Sequence, residues 1–323
     1  MLKLLLNIRW CFFIIVFFLI HTQTKAQLTY NELSVQYDSP WTFKKLQLVP
    51  IRFKDAGNGN AENKTMFNGN IMSFDEALRR HKITIKELTS DGGADVSTLV
   101  VKNHSQENIM LMSGEIVQGG KQDRAFGETT IIPSGRHKNY ISVFCVEKGR
   151  WDDKARPFKH AGTADAGVRK QIDVTKRQSK VWKQIDNELA EKNKKNKTSA
   201  YLNAYNEPAP DDTSYLRFFI NKMKESDSSY AGFIAVTGNR IINAEIFGGT
   251  DLCLTAYIDN IKSYVHSLQP SDGVPGKTHN EIKSFTDKFL PDKTIQKKYL
   301  STNGRIYYYN SEVIHLVAYD NTN

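Results

Sequence analysis

Short blocks in which apolar and polar residues alternate dominate the first half of the chain, and helical spacing takes over later. Residues 46–53 alternate and are rich in strand formers, and the glycine-bearing stretch 55–60 then breaks the pattern. Ser73 stands where a short helix needs a cap, with Phe74, Ala77 and Leu78 at helical spacing and acids in the first turn. Strand-like runs recur at 83–88, 96–102, 109–117, 129–132 and 141–146, separated by turn formers. That spacing predicts antiparallel β structure.

From 151 to 167 the chain is charged and irregular, and then Val168, Ile172, Val181, Trp182, Ile185 and Leu189 predict one long amphipathic helix. Residues 192–212, rich in Lys and Asn and ending in Pro208 and Pro210, predict an exposed loop. Beyond it the pattern predicts a helix at 216–224 and strands at 232–237 and 240–247 joined by a tight Gly238-Asn239 turn. A helix at 251–268 and strands at 305–309 and 313–318 complete the chain. The expected architecture is α+β. An antiparallel β-rich N-terminal half, about 41–151, precedes a mixed helix and strand C-terminal half, about 152–323, with the long amphipathic helix between them.

Ahead of this pattern, residues 1–26 combine Lys3 and Arg9, an apolar run from 11 to 20, and the small residues Thr24 and Ala26. The order predicts a cleavable signal peptide, with a single domain from 27 to 323 exported to a periplasmic or extracellular location. The run is shorter than the ~20 apolar residues of a membrane-spanning helix, so no membrane anchor is expected after cleavage. Cleavage removes Lys3, Arg9 and Lys25 but no acid, which lowers the formal charge from +9 to +6. That excess is modest, and the lysine run at 192–197 has no interleaved aromatics, so no nucleic-acid partner is expected. Cys145 and Cys253 fall at apolar positions, which favours two separate buried thiols over a disulfide. Without a CxxC pair, His-rich spacing or a dinucleotide fingerprint, neither a metal nor a cofactor is expected.

Polar residues crowd two expected strand ends, GEIVQGGKQDR at 114–124 and the end of SVFCVEKGRW at 147–151. Paired glycines let backbone amides approach a ligand, and nearby Lys and Arg favour a small anion. The candidate ligand-binding set is Glu115, Gly119, Gly120, Lys121, Gln122, Asp123, Arg124, Glu147, Arg150 and Trp151. Glu115 and Glu147 are the carboxylates offered for acid–base work. Two bland readings compete: a hairpin turn whose glycines take positive φ and whose charges face water, or buried polar residues that knit strands together. Because strands joined by the turn at 133–138 are expected neighbours, the two segments are expected to meet in one polar site.

These two segments, with IPSG at 132–135 between them and AVTGNRIINAEIFGG at 235–249 after them, resemble the ADP-ribosylglycohydrolase and rhodanese-phosphatase-superfamily-associated protein domain family. The similarity runs from about 41 to about 268. The resemblance implies association with ADP-ribose and NAD metabolism and no established activity. The resulting expectation is a ligand-binding or scaffolding module. A hydrolase acting on an ADP-ribose-like, nucleotide-derived or phosphorylated ligand is the alternative.

Overall fold

The computed structural model describes residues 28–54, 64–90, 93–150, 156–204, 212–225 and 229–321. Residues 1–26, read from the sequence as a signal peptide, and Trp151 lie outside the described residues. The fold is α+β with antiparallel sheets and a β-rich N-terminal half, as expected.

The largest sheet has seven strands and draws on both ends of the chain. Leu46–Phe53 pairs antiparallel with Tyr230–Thr237, which forms a hairpin with Arg240–Phe247; Glu312–Ala318 and Gly304–Tyr309 follow. Every residue of Tyr230–Thr237 is buried because both faces of the sheet are covered. Phe233 and Ala235 face a core that holds the helices Asp212–Lys224 and Thr250–His266. Ile234 and Val236 face a second core under the helices His279–Thr286 and Lys293–Asn303. The two-residue strand period decides which side chain joins which core.

A six-stranded antiparallel sheet, ordered Arg156–Thr163, Glu115–Gly120, Arg124–Phe126, Asn139–Cys145, Gly93–Asn103 and Ile83–Ser90, carries the signature segments. A small third sheet holds Thr130–Ile132, Asn108–Leu111 and Ile71–Ser73, the last two paired in parallel. Helix Thr250–His266 packs against strands of all three sheets and ties them together. Ser73 caps helix Phe74–Arg79 by accepting from the Glu76 N–H.

Four expectations change. The run at 109–117 is two strands in different sheets, because Gly114 takes φ +82° and turns the chain between them. The single long helix is broken: Ala166–Lys170 is α-helical, Gln171–Thr175 is a π turn, Lys176 adopts φ +52°, and Gln178–Glu191 resumes. The extra residue of the π turn re-phases the chain. Val168 and Ile172 therefore share one core with Val181, Ile185 and Leu189. The stretch read as irregular contains the edge strand Arg156–Thr163, whose register shifts and half-exposed residues hide its period. Within the expected exposed loop at 192–212, Ala200 is buried, and Tyr201 and Leu202 pack against helix Gln178–Glu191. The pattern reading also leaves out helices His279–Thr286 and Lys293–Asn303; the Thr278/Glu281 capping box marks the first of them.

Candidate functional site

The two signature segments meet because strand Arg124–Phe126 lies between strands Glu115–Gly120 and Asn139–Cys145, with Val117 opposite Arg124 and Arg124 opposite Cys145. The turn at 121–123 therefore sits beside the chain leaving the third strand. Arg150 joins them: Nη2 donates to Asp123 Oδ1 at 2.6 Å, Nε to Glu147 Oε2 at 2.5 Å, and Nη1 to the Lys121 carbonyl at 3.4 Å. Gln122 Nε2 adds a bond to the Glu147 carbonyl at 2.9 Å, and the Val146 N–H donates to the Asp123 carbonyl at 3.1 Å. Asp123 Oδ1 also accepts from the Gly119 N–H at 3.0 Å. Gly119 is required there, since a Cβ would stand 2.4 Å from the Pro157 carbonyl oxygen. Burial pushes the Asp123 carboxyl up, and Glu147 beside it adds to that, while Arg150 opposes both.

Arg124 is fully buried beside this turn. Its Nη1 donates to Gln122 Oε1 at 3.0 Å, whereas Nε and Nη2 have no hydrogen-bond partner among the described residues. Lys121 and Gly120 lie over Glu87, whose Oε1 accepts from the Lys121 N–H at 2.9 Å.

Two clefts flank the turn. Gln122 lines the larger, of about 700 Å³, together with Phe144, Cys145, Lys148, Lys176, Gln178 and Trp182. Lys148 Nζ stands 5.5 Å from the Trp182 ring centroid. Gln178 grips the strand end at both backbone groups of Cys145, at 2.8 and 2.9 Å. No Asp or Glu among the described residues lines this cleft. Cys145 and Cys253 are free and buried, and burial raises both thiols, so neither is poised as a nucleophile. Gly119, Asp123, Glu147 and Arg150 line the smaller cleft of about 320 Å³, with Arg156 and Lys159 opposite.

Glu115 does not belong to this corner. It is buried, with Oε2 accepting from the Met112 N–H at 2.6 Å and Oε1 3.6 Å from His160 Nε2. His160 Nδ1 stands 3.1 Å from Asp75. Burial opposes protonation of His160, but Asp75 and Glu115 outweigh it and push it up to about 9. The His160 hydrogen bond in turn lowers Asp75 to about 2.

A further polar group, of which the sequence marked only Glu245 through the motif at 235–249, links the first signature segment to the later one. Arg169 is fully buried, with Nη1 2.6 Å from Glu245 Oε1. Glu245 accepts from Asn243 Nδ2 at 2.8 Å and contacts His315 Nε2, whose Nδ1 lies 3.0 Å from Thr129 Oγ1. Asp173, brought inward by the π turn, accepts from the hydroxyls of Tyr307 and Tyr319, both at 2.6 Å, and from Ser113. A Cβ on Gly114 would lie 2.5 Å from Arg169 Cγ, so the arginine passes directly over the signature glycine. Burial alone would raise Glu245, but Arg169 and His315 hold its carboxyl below the usual range. In the sequence, Gly114 and Glu245 stand inside the signature motifs, and Arg169 is a charge set among the apolar residues of a helix face.

The chain belongs to the ARG and Rhodanese-Phosphatase-superfamily-associated Protein domain family, whose model matches residues 34–316. Both signature segments fall inside that span. No curated protein and no solved structure matches the chain.

Proposed function

We propose that the protein is an exported binding module that takes a nucleotide-derived anionic ligand in the larger cleft beside the signature turn. The observation that carries the reading is the lining of that cleft: aromatic Trp182 and Phe144, the cations Lys148 and Lys176, and Gln122 braced by Arg124. An aromatic face suits a base, and lysines at the rim suit phosphates. The volume of about 700 Å³ is in the range of small-molecule sites. The lack of any lining carboxylate among the described residues favours binding over acid–base hydrolysis. In this reading the Asp123–Arg150–Glu147 ion pairs are scaffold, holding the turn against the strand end. The family name, which records association with ARG and rhodanese–phosphatase proteins, supports the choice of ligand class. Export rests on the leader pattern; recovery from the native host of a chain beginning at Gln27 supports it, and a chain retaining residues 1–26 refutes it.

Isothermal titration with ADP-ribose, AMP and ribose 5-phosphate tests the binding reading. At least one should bind, and Trp182→Ala should weaken it by about 1–3 kcal/mol, roughly 5- to 150-fold. Binding that survives Trp182→Ala and Lys176→Ala together, or absence of binding by all three compounds, overturns the proposal.

A further inference from the structure

On another face of helix Gln178–Glu191, a cleft of about 420 Å³ opens between that helix, the short helix Ala166–Lys170 with its cap Asp165, the start of strand Arg240–Phe247, and Tyr319 and Asp320. Glu188 lies in its wall and is 4% exposed. Its Oε1 accepts from Gln184 Nε2 at 3.0 Å, but Oε2 is buried with no hydrogen-bond partner among the described residues. Buried carboxylate oxygens are normally satisfied, so an orphan one facing a cleft calls for a partner from outside the fold. Gly167 keeps the approach open: a Cβ there would stand 2.8 Å from Gln184 Nε2, 2.9 Å from Asp165 Oδ1 and 3.1 Å from Glu188 Oε1. Asp165 itself is committed, accepting from the Gly167 and Val168 N–H groups and from the Tyr201 hydroxyl. It supplies negative charge to the hollow while Glu188 supplies the lone pair.

We propose that this cleft binds the ammonium group of a small hydroxyl-bearing organic amine, with Glu188 Oε2 as its acceptor. Gln171, Gln184 and Gln269 supply amides for the hydroxyls. The charges facing Glu188 favour a cation. Asp165, Glu191 and Asp320 line the cleft with Lys170 and Arg240. Arg240 is neutralised by Asp272 at 2.7 Å, and Lys288 holds Asp320 at 3.2 Å. Lys192, whose charge favours the ionised form of Glu188, donates its Nζ to the His266 carbonyl at 3.0 Å, and the His266 ring, lowered to about 4 by burial, is neutral near pH 7. A metal ion fits less well, because no group of three or more His, Cys, Asp or Glu among the described residues is placed to hold one. An ammonium needs only one charge and a few acceptors.

Burial, with Asp165 beside it, raises Glu188 to about 7. A proton therefore competes with the amine, and affinity should fall by up to about tenfold per pH unit in acid below that value. The test is titration of the full chain with D-glucosamine and, as a control without the amine, D-glucose. Glucosamine should bind at least tenfold more tightly than glucose and weaken between pH 7 and 6. It should also lower the titration midpoint of the Glu188 carboxyl, followed by ¹³C NMR at matched ionic strength. Glu188→Gln should cost tenfold or more, and Gly167→Ala, which fills the hollow without changing charge, should do the same. Circular dichroism checks that both variants fold. Equal binding of the two sugars, or a Glu188 midpoint that glucosamine leaves unmoved, overturns the assignment.

Discussion

Replacing Glu245 by glutamine removes one charge from the interior and almost no volume. Arg169 and Glu245 are both essentially inaccessible, with Arg169 Nη1 and Glu245 Oε1 2.6 Å apart, so the variant leaves a buried guanidinium without its contact anion. Breaking a buried pair in this way costs about 3–5 kcal/mol. For a chain of this size that corresponds to a melting temperature lower by about 6–10 °C. Urea titration followed by circular dichroism should show a lower midpoint with an unchanged slope. The pH dependence adds a second readout. Arg169 and His315 hold the folded-state pKa of Glu245 below its unfolded value of about 4.3, so the stabilisation is complete above that pH. It is lost as pH falls through the folded value. The gap between wild type and variant should thus be widest at neutral pH and close in acid. Removing both charges, with Arg169→Met and Glu245→Leu together, should recover much of the loss. A Glu245→Gln protein within about 1 kcal/mol of wild type at pH 7, or a deficit that does not change with pH, refutes the reasoning.

Two further outcomes follow from the same geometry. His160 carries a folded pKa of about 9 against about 6.5 unfolded, so its ion pairs stabilise fully below pH 6.5 and that stabilisation disappears as pH rises through 9. Melting temperatures from pH 6 to 10 should fall for wild type and stay flatter for His160→Gln; parallel curves would remove His160 from the account. Gly114→Ala and Gly162→Ala both place alanine at positive φ, +82° and +98°, but only the first drives a Cβ into Arg169. The backbone penalty of about 1–2 kcal/mol is common to both, and Gly114→Ala should cost at least about 1 kcal/mol more. Equal chemical-denaturation midpoints would show that Arg169 yields freely.

Local pattern alone determined much of this protein. Strand Leu46–Phe53, the Ser73 cap, the Tyr230–Thr237/Arg240–Phe247 hairpin and helix Thr250–His266 are legible because period, cap and turn chemistry act between residues close in sequence. The meeting of 114–124 with 147–150 was expected, but not by the route expected: Thr130–Ile132 and Asn139–Cys145, joined by the turn at 133–138, go to different sheets, and it is the pairing of Arg124–Phe126 with Asn139–Cys145 that brings the segments together. Tertiary structure decided the rest. Glu115 and Asp123 look alike in sequence, yet one is drawn to His160 and the Met112 N–H while the other is held by Arg150, because Glu115 opens a strand beside Arg156–Thr163 and Asp123 lies in the turn at 121–123 at the other end of that strand. The break at Gln171–Thr175 hides inside a good helical stripe and exists because Asp173 must reach Tyr307 and Tyr319, more than a hundred residues away. Arg169, Glu245 and His315 come from three distant segments, and only packing of the sheets around one helix removes water from all three and makes their charges depend on each other.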